Sequence, residues 1–386
     1  MKRSLAAIAA ATLSLSLLAG CGGGSSSSDS DVIKVGINYE LSGAVATYGD
    51  ASVKGIEMAF DEINAAGGIN GKQVETIKYD TKSEPAEATT LATKLMTQDK
   101  VVTVIGPATS GSFKATIPVA NQNKIPVVSG SATAEDVTVS NGKVQEYAFR
   151  TCFSDSFQGT AMASFATDNL GAKSAVIIKD TSSDYAKGLA ENFSSKFESE
   201  GGTIVGEEGY VAGDTDFQAI LTRIKSQSFD AIYLPGYYNE VGLIIKQARD
   251  LGITAPILGG DGYESPTLLQ LAGASALNNV YYTNHYSSLD TDNAKVGEFI
   301  ANFKAKYNED PSAFSALGYD TAYFVADAIG RASDLTGEAV KDAMASTTDF
   351  SGVTGTFSID ANHDPDKAAL VIGLTDGVPT SAVDAA

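Results

Sequence analysis

The sequence has 386 residues, of which 43% are hydrophobic and two are cysteines, and it carries a formal net charge of −20. A chain this long exceeds the size at which a single core usually stops growing, so two lobes are predicted, held by apolar burial rather than by a disulfide framework. The acidity argues against nucleic acid as a partner and favours solubility, but the sign alone identifies no ligand.

Residues 1–20 have a basic start, Lys2-Arg3, followed by an Ala/Leu-rich run to Leu18. This is the layout of a secretory leader, and it is too short for a comfortable bilayer span. A buried N-terminal helix is the competing reading, but a core helix would not lead straight into residues 22–30, which are Gly, Ser and Asp only. Leu18-Ala19-Gly20-Cys21 resembles a bacterial lipobox, which implies cleavage before Cys21 and lipidation of its sulfur. Loss of Lys2 and Arg3 would lower the charge by two, to −22. The Gly/Ser stretch is predicted to be a flexible tether with a reach of about 15 to 20 Å. With Cys21 acylated, Cys152 has no partner within the chain.

From residue 32 onward, short apolar runs alternate with segments of helical period. Residues 32–37 read as a strand, and Asp50 is the expected N-cap of a helix with Val53, Ile56, Phe60 and Ile63 on one face, ended by Gly67-Gly68. Strands at 74–79 and 101–105, a helix after Ser83, a helix at 110–121 kinked at Pro118, and a strand at 126–128 complete a first series. A second series starts after Arg150. It has helices near 158–169, through Leu189, Phe193 and Phe197, at 217–224 and at 241–251, with strands at 175–179, 203–206, 231–234 and 257–258. The alternation predicts an α/β fold of two Rossmann-like lobes, each a parallel sheet flanked by helices.

In open parallel sheets, ligands sit beyond the carboxyl ends of the strands. Thr109 and Ser110 fall where a helix begins, so their hydroxyls and free amides could hold a carboxylate at the positive helix end, although an ordinary N-cap explains them equally. A second Ser/Thr-Gly loop on the same lobe carries Ser131 and Thr133. The other series supplies Tyr185, Tyr237 and Asp261, which suit an apolar side chain and an ammonium group. Each also has a plainer reading, as helix-start packing, core rim or turn former. Taken together they suit a zwitterion held between two lobes. Hydrogen bonds to charged groups contribute about 1.5 to 3 kcal/mol each, so four approach the roughly 8 kcal/mol of micromolar affinity.

Several strings carry a family resemblance: Leu41-Ser42-Gly43 with Tyr48-Gly49, Asn64-Ala65-Ala66-Gly67-Gly68-Ile69-Asn70-Gly71, Ala148-Phe149-Arg150-Thr151 and Gly318-Tyr319-Asp320. With them, residues 32 to about 380 resemble the branched-chain amino acid (Leu/Ile/Val) binding proteins of ABC transporters, which have the type I periplasmic binding fold. The resemblance implies carboxylate binding at Ser110, Ser131 and Thr133, ammonium binding at Asp261, and aromatic walls at Tyr48, Tyr185 and Tyr237. It further implies three crossings between lobes near residues 152, 285 and 359. One lobe would then be residues 32–152 plus 285–358, the other 153–284 plus 359–386, closing as a hinge. The first loop reads Pro-Ala-Thr-Ser-Gly-Ser, and an Asp stands at 261 where a Glu is familiar in leucine binders. The ligand's side chain therefore stays open.

No G-x-S-x-G, Walker A, G-x-G-x-x-G or H-E-x-x-H string is present, and no cofactor or metal is expected. His285 and His363 are expected at the surface or the hinge, and 360–364 is read as a hinge turn rather than a calcium loop. The expected function is delivery of an amino acid to an ABC permease by a monomeric, exported, lipid-anchored receptor. A sensory protein for a small amide, a urea-like solute or a carboxylate is the alternative. An amidase with Ser110 as nucleophile lacks a base in the motif pattern.

Overall fold

The computed structural model describes residues 32–290 and 293–385. The predicted leader, Cys21 and the Gly/Ser tether lie outside the described residues. Strand β1 (Val32–Tyr39) is followed by helix α1 (Ala46–Ala65), β2 (Gln73–Asp80), α2 (Pro85–Lys94), β3 (Thr103–Ile105), α3 (Ser110–Asn123) and β4 (Val127–Ser129). A small hairpin, β5 (Val139–Ser140) with β6 (Lys143–Val144), leads to β7 (Ala148–Arg150). The resulting sheet has the order β2-β1-β3-β4-β7 and is parallel throughout. Its inner strands β1, β3 and β4 are mostly buried because helices cover both faces. Ile37 stands level with Ile105, Ile105 with Val128, and Val128 with Phe149, so the loops that follow these strands gather along one edge.

Helix α1 starts four residues before the expected cap. Asp50 lies inside the helix and pairs with Lys54 Nζ at 2.7 Å across one turn. The Val45 amide, at the true start, donates instead to Ser83 Oγ (3.2 Å). The helix ends at Ala65, and Gly67 and Gly68 follow with φ of 108° and 77°.

The second series runs α4 (Asp155–Asp168), β8 (Ser174–Asp180), α5 (Asp184–Ser199), β9 (Thr203–Tyr210), α6 (Gln218–Lys225), β10 (Ala231–Tyr233), α7 (Tyr238–Asp250), β11 (Ile257–Gly259), α8 (Pro266–Ala272) and β12 (Val280–Asn284). Helices α9 (Ala294–Tyr307), α10 (Ala313–Arg331) and α11 (Gly337–Ala345) follow, then the hairpin β13 (Phe350–Gly352) and β14 (Gly355–Phe357). Helix α10 returns to the first sheet and packs on α1 so closely that a Cβ on Gly55 would lie 2.0 Å from the Ser315 carbonyl oxygen. The last two strands, β15 (Ala369–Thr375) and β16 (Val378–Ala385), rejoin the second sheet, whose order is β16-β15-β12-β11-β10-β8-β9. β15 runs antiparallel to β12, and β16 antiparallel to β15, so the second sheet adds an antiparallel edge to the expected parallel strands.

The chain thus passes between the sheets after β7, after β12 and before β15. Buried charges bind these passages together. Arg150 Nε contacts Asp364 Oδ1 at 2.7 Å, while Nη1 donates to the Thr133 and Ala134 carbonyls at 2.7 and 3.0 Å. Lys367 Nζ donates to the Thr151 carbonyl at 3.0 Å, and burial drops its pKa to about 8. Asp360 Oδ1 accepts from the Asn362 and Asp364 amides, closing the 360–364 turn on itself.

Candidate functional site

The strand-end loops of both sheets meet at one small cavity. It is lined by Tyr48 of α1, by Ala108, Thr109 and Ser110 after β3, and by Ser131 after β4. Tyr185, Tyr237, Asp261 and Gly262 line it from the second sheet, with Phe314 of α10. Its volume is about 10 Å³, room for about one water-sized sphere, because the two halves are in contact. Tyr48 Oη donates to the Gly262 carbonyl, and Thr47 Oγ1 lies 3.0 Å from Ser265 Oγ. Seven of the eight sequence-predicted side chains line this cavity; Thr133, fully buried, does not.

On the first sheet's side, hydrogen bonds stitch the two loops together. Ser129 Oγ donates to the Pro107 carbonyl (2.7 Å), and Ser131 Oγ to the Ala108 carbonyl (3.0 Å). Ser110 Oγ accepts from the Ala134 amide at 3.1 Å, which leaves its own O–H to donate. Thr109 needs a correction. Its amide and hydroxyl both donate to Glu40 Oε1, at 3.1 and 2.9 Å, so neither is available to a solute. The first free amides of α3 begin at Ser110 instead.

Asp261 forms the opposite wall. Tyr185 Oη donates to its Oδ1 (2.8 Å) and itself accepts from the Gly262 amide (2.9 Å). His285 Nε2 lies 3.3 Å from Asp261 Oδ2, and the ring stacks on Phe153 at 3.5 Å. Of the two expected positions, surface or hinge, the surface is excluded: both histidines are buried next to passages between the sheets, and each ring packs on a phenylalanine, His363 on Phe149 at 4.0 Å. Burial pushes His285 down to about 4, so the ring is neutral beside Asp261. Below them Asp155 is fully buried. Its Oδ1 accepts from Gln158 Nε2 (3.0 Å), its Oδ2 has no hydrogen-bond partner among the described residues, and burial drives its pKa well above the usual carboxylate range. Neither histidine ring hydrogen-bonds to Ser110: His285 contacts Asp261 and His363 contacts the Ala148 carbonyl.

The apolar wall is aromatic. Tyr48 stacks on Phe314 at 4.2 Å and meets Tyr237 edge-on at 5.8 Å, while Tyr237 stacks on Tyr185 at 5.1 Å. Sequence reasoning missed Glu40, Asp155 and Phe314. Glu40 directly follows β1 and was open to the strand-end rule already applied to the other loops. Phe314 sits in the first turn of a helix with no preceding strand, so that rule could not reach it.

A larger cavity of about 500 Å³ lies among α1, α9, α10 and the β13–β14 hairpin. Two of its lining acids are already engaged: Glu62 accepts from Tyr319 and Tyr323, and Asp320 from the Val353 and Thr354 amides. None of its lining residues belongs to the loops after β3, β4, β8, β10 or β11.

The periplasmic binding protein family matches residues 32–377. The chain belongs to that family. Its members are solute-binding proteins rather than enzymes. Among relatives, the leucine-, isoleucine-, valine-, threonine- and alanine-binding protein of Pseudomonas aeruginosa is 30% identical over 86% of this chain and 87% of its own length. Among solved structures, the branched-chain amino acid transporter substrate binding protein of Streptococcus pneumoniae, in complex with isoleucine, is 45% identical with a TM-score of 0.87. That match covers 92% of this chain and 99% of the other. A solute binding protein of an ABC transporter from R. palustris, in complex with benzoate, is 27% identical with a TM-score of 0.81, covering 92% and 96%. The fold is therefore that of a type I periplasmic binding protein.

Proposed function

We propose that this protein is the extracytoplasmic receptor of an ABC transporter, closing two lobes around a branched-chain or other apolar amino acid and handing it to the permease. The observation that carries this reading is the division of the cavity wall. Ser110 at the start of α3 and Ser131 in the loop after β4 face Asp261 and Tyr185 across a belt of Tyr48, Tyr237 and Phe314. A carboxylate suits the helix start, an ammonium suits Asp261, and an aliphatic side chain suits the rings. Thr133 takes part through the buried floor next to Asp155. The lobes are residues 32–152 plus 285–358 and residues 153–284 plus 359–386, and the protein works as a monomer anchored through Cys21. Ligand pockets ordinarily span about 300 Å³ or more, so solute enters only when the lobes part and Tyr48 releases Gly262.

Isothermal titration of the refolded protein against Leu, Ile, Val, Ala, Phe and benzoate tests the reading. Saturable binding of an aliphatic amino acid, weakened by about tenfold to a hundredfold in Asp261→Ala as a charged hydrogen bond is lost, is the expected outcome. Binding of benzoate alone would favour a carboxylate receptor, a reading that the benzoate-bound neighbour supports.

A further inference from the structure

We infer that Glu40 sets the charge selectivity of the cleft: seated on the amides at the start of α3, it disfavours net-anionic solutes and reserves the anion subsite for a carboxylate that arrives with its own ammonium group. This deepens the amino-acid reading above and rests on it.

Glu40 follows β1 and is shielded from solvent at 0% exposure. Its Oε2 accepts from the Ala108 amide (2.9 Å), and its Oε1 accepts from the Thr109 amide (3.1 Å) and the Thr109 hydroxyl (2.9 Å). Every group that reaches the side chain from this loop is a donor. A proton on the carboxyl would find no acceptor there, so the ionised form is the one the geometry fits, even though burial pushes the pKa up. Among the described residues no Lys or Arg pairs with it.

The start of a helix carries about half a positive charge, and that is what normally welcomes a ligand anion. Here a resident carboxylate already occupies it, and Ala108 and Thr109, which hold that carboxylate, line the cavity themselves. Asp261 adds a second fixed anion on the opposite wall, with a neutral His285 behind it. No Lys or Arg is part of the lining. Two cations on adjoining elements face elsewhere: Lys114 pairs with Asp136 and Asp184, and Arg150 with Asp364. A zwitterion brings its own compensation into this surrounding, but a 2-oxo acid brings only the minus sign. One fixed charge about 7 Å away in a medium of effective dielectric about 20 changes affinity by about tenfold to a hundredfold.

The test compares three solutes of one carbon skeleton by titration calorimetry on the refolded protein: isoleucine, isoleucinamide and 3-methyl-2-oxopentanoate. In Glu40→Gln the ratio of isoleucine to oxo-acid affinity should fall by about tenfold or more, chiefly because the oxo acid binds better. Glu40→Ala, which removes the charge without placing an amide NH2 against two N–H donors, should shift the ratio the same way. A purely structural Glu40 would weaken both solutes in parallel, and an unchanged ratio with isoleucine still bound overturns the inference alone. Should both variants fail to melt cooperatively, the wild type decides: isoleucinamide binding tighter than the oxo acid supports the inference, and the reverse order overturns it. No binding of isoleucine to the wild type would overturn the amino-acid reading and this inference with it.

Discussion

The His285 ring lies in a shell of other groups: Phe153 on one face, Asp261 at Nε2, and, among the described residues, no hydrogen-bond partner at Nδ1. Burial holds its pKa near 4 in the fold, against about 6.5 in the unfolded chain. The unfolded chain therefore binds the proton first on acidification. The stability contributed by the neutral ring is complete above about pH 6.5 and is lost as pH falls toward 4, by about 3 kcal/mol over the whole window. Urea unfolding of His285→Gln at pH 7 and pH 5 should show a flatter pH response than the wild type, by about 2 kcal/mol. Equal slopes for the two proteins would mean that the ring titrates alike in both states. Buried acids pull the other way, since Asp155 and Glu40 have raised pKa values, so the comparison with the variant is what isolates the histidine.

At the scale of elements, the approach of α1 and α10 is set by what is missing from two glycines. A Cβ on Gly318 would lie 2.2 Å from the Ser52 carbonyl oxygen, which is backbone and cannot rotate away. Gly318→Ala should therefore cost about 1 to 3 kcal/mol, as overpacked cores do. Gly297→Ala on α9, where nothing lies within 4 Å, should instead gain up to about 1 kcal/mol from helix propensity. Chemical denaturation of the two variants separates these signs. The sequence showed Gly318 only as part of a family string, since a helix–helix crossing leaves no periodic mark. Strands were easier to read. Buried runs such as residues 175–178 of β8 have one physical reading once helical segments flank them, and the loops after them then marked Ser110, Ser131, Tyr185, Tyr237 and Asp261. What escaped was non-local or irregular. Asp50 looks like a cap, but its side chain is drawn to Lys54 on the solvent side. The β15–β16 hairpin turns at Asp376 and Gly377, both at positive φ, and that Asp-Gly pair was a legible hairpin signal left unused. Phe314 reaches the cavity only because α10 folds back across the first sheet.

At the scale of the whole molecule, closure rests on few contacts, and they are unequal. Lys114 on α3 reaches Asp184 on α5 at 2.7 Å, but both partners are partly exposed, so the pair contributes at most about 1 kcal/mol and is screened by salt. Tyr238 Oη donates to the Ala44 carbonyl at 3.0 Å, and Asn239 Nδ2 donates to the same oxygen. The Tyr48 bond to the Gly262 carbonyl is the buried member of the set. Removing it leaves that carbonyl unsatisfied inside the closed cleft, at a cost of about 1 to 3 kcal/mol. Tyr48→Phe keeps the ring that stacks on Phe314, so its effect isolates the hydroxyl. The closed state should lose about tenfold in persistence, seen as faster solute release in stopped flow. Lys114→Ala should speed release by about fivefold at most, and less as salt rises. If Lys114→Ala has the larger effect, the closing energy lies at the exposed rim rather than in the aromatic wall, and the cleft must be held shut from outside the solute.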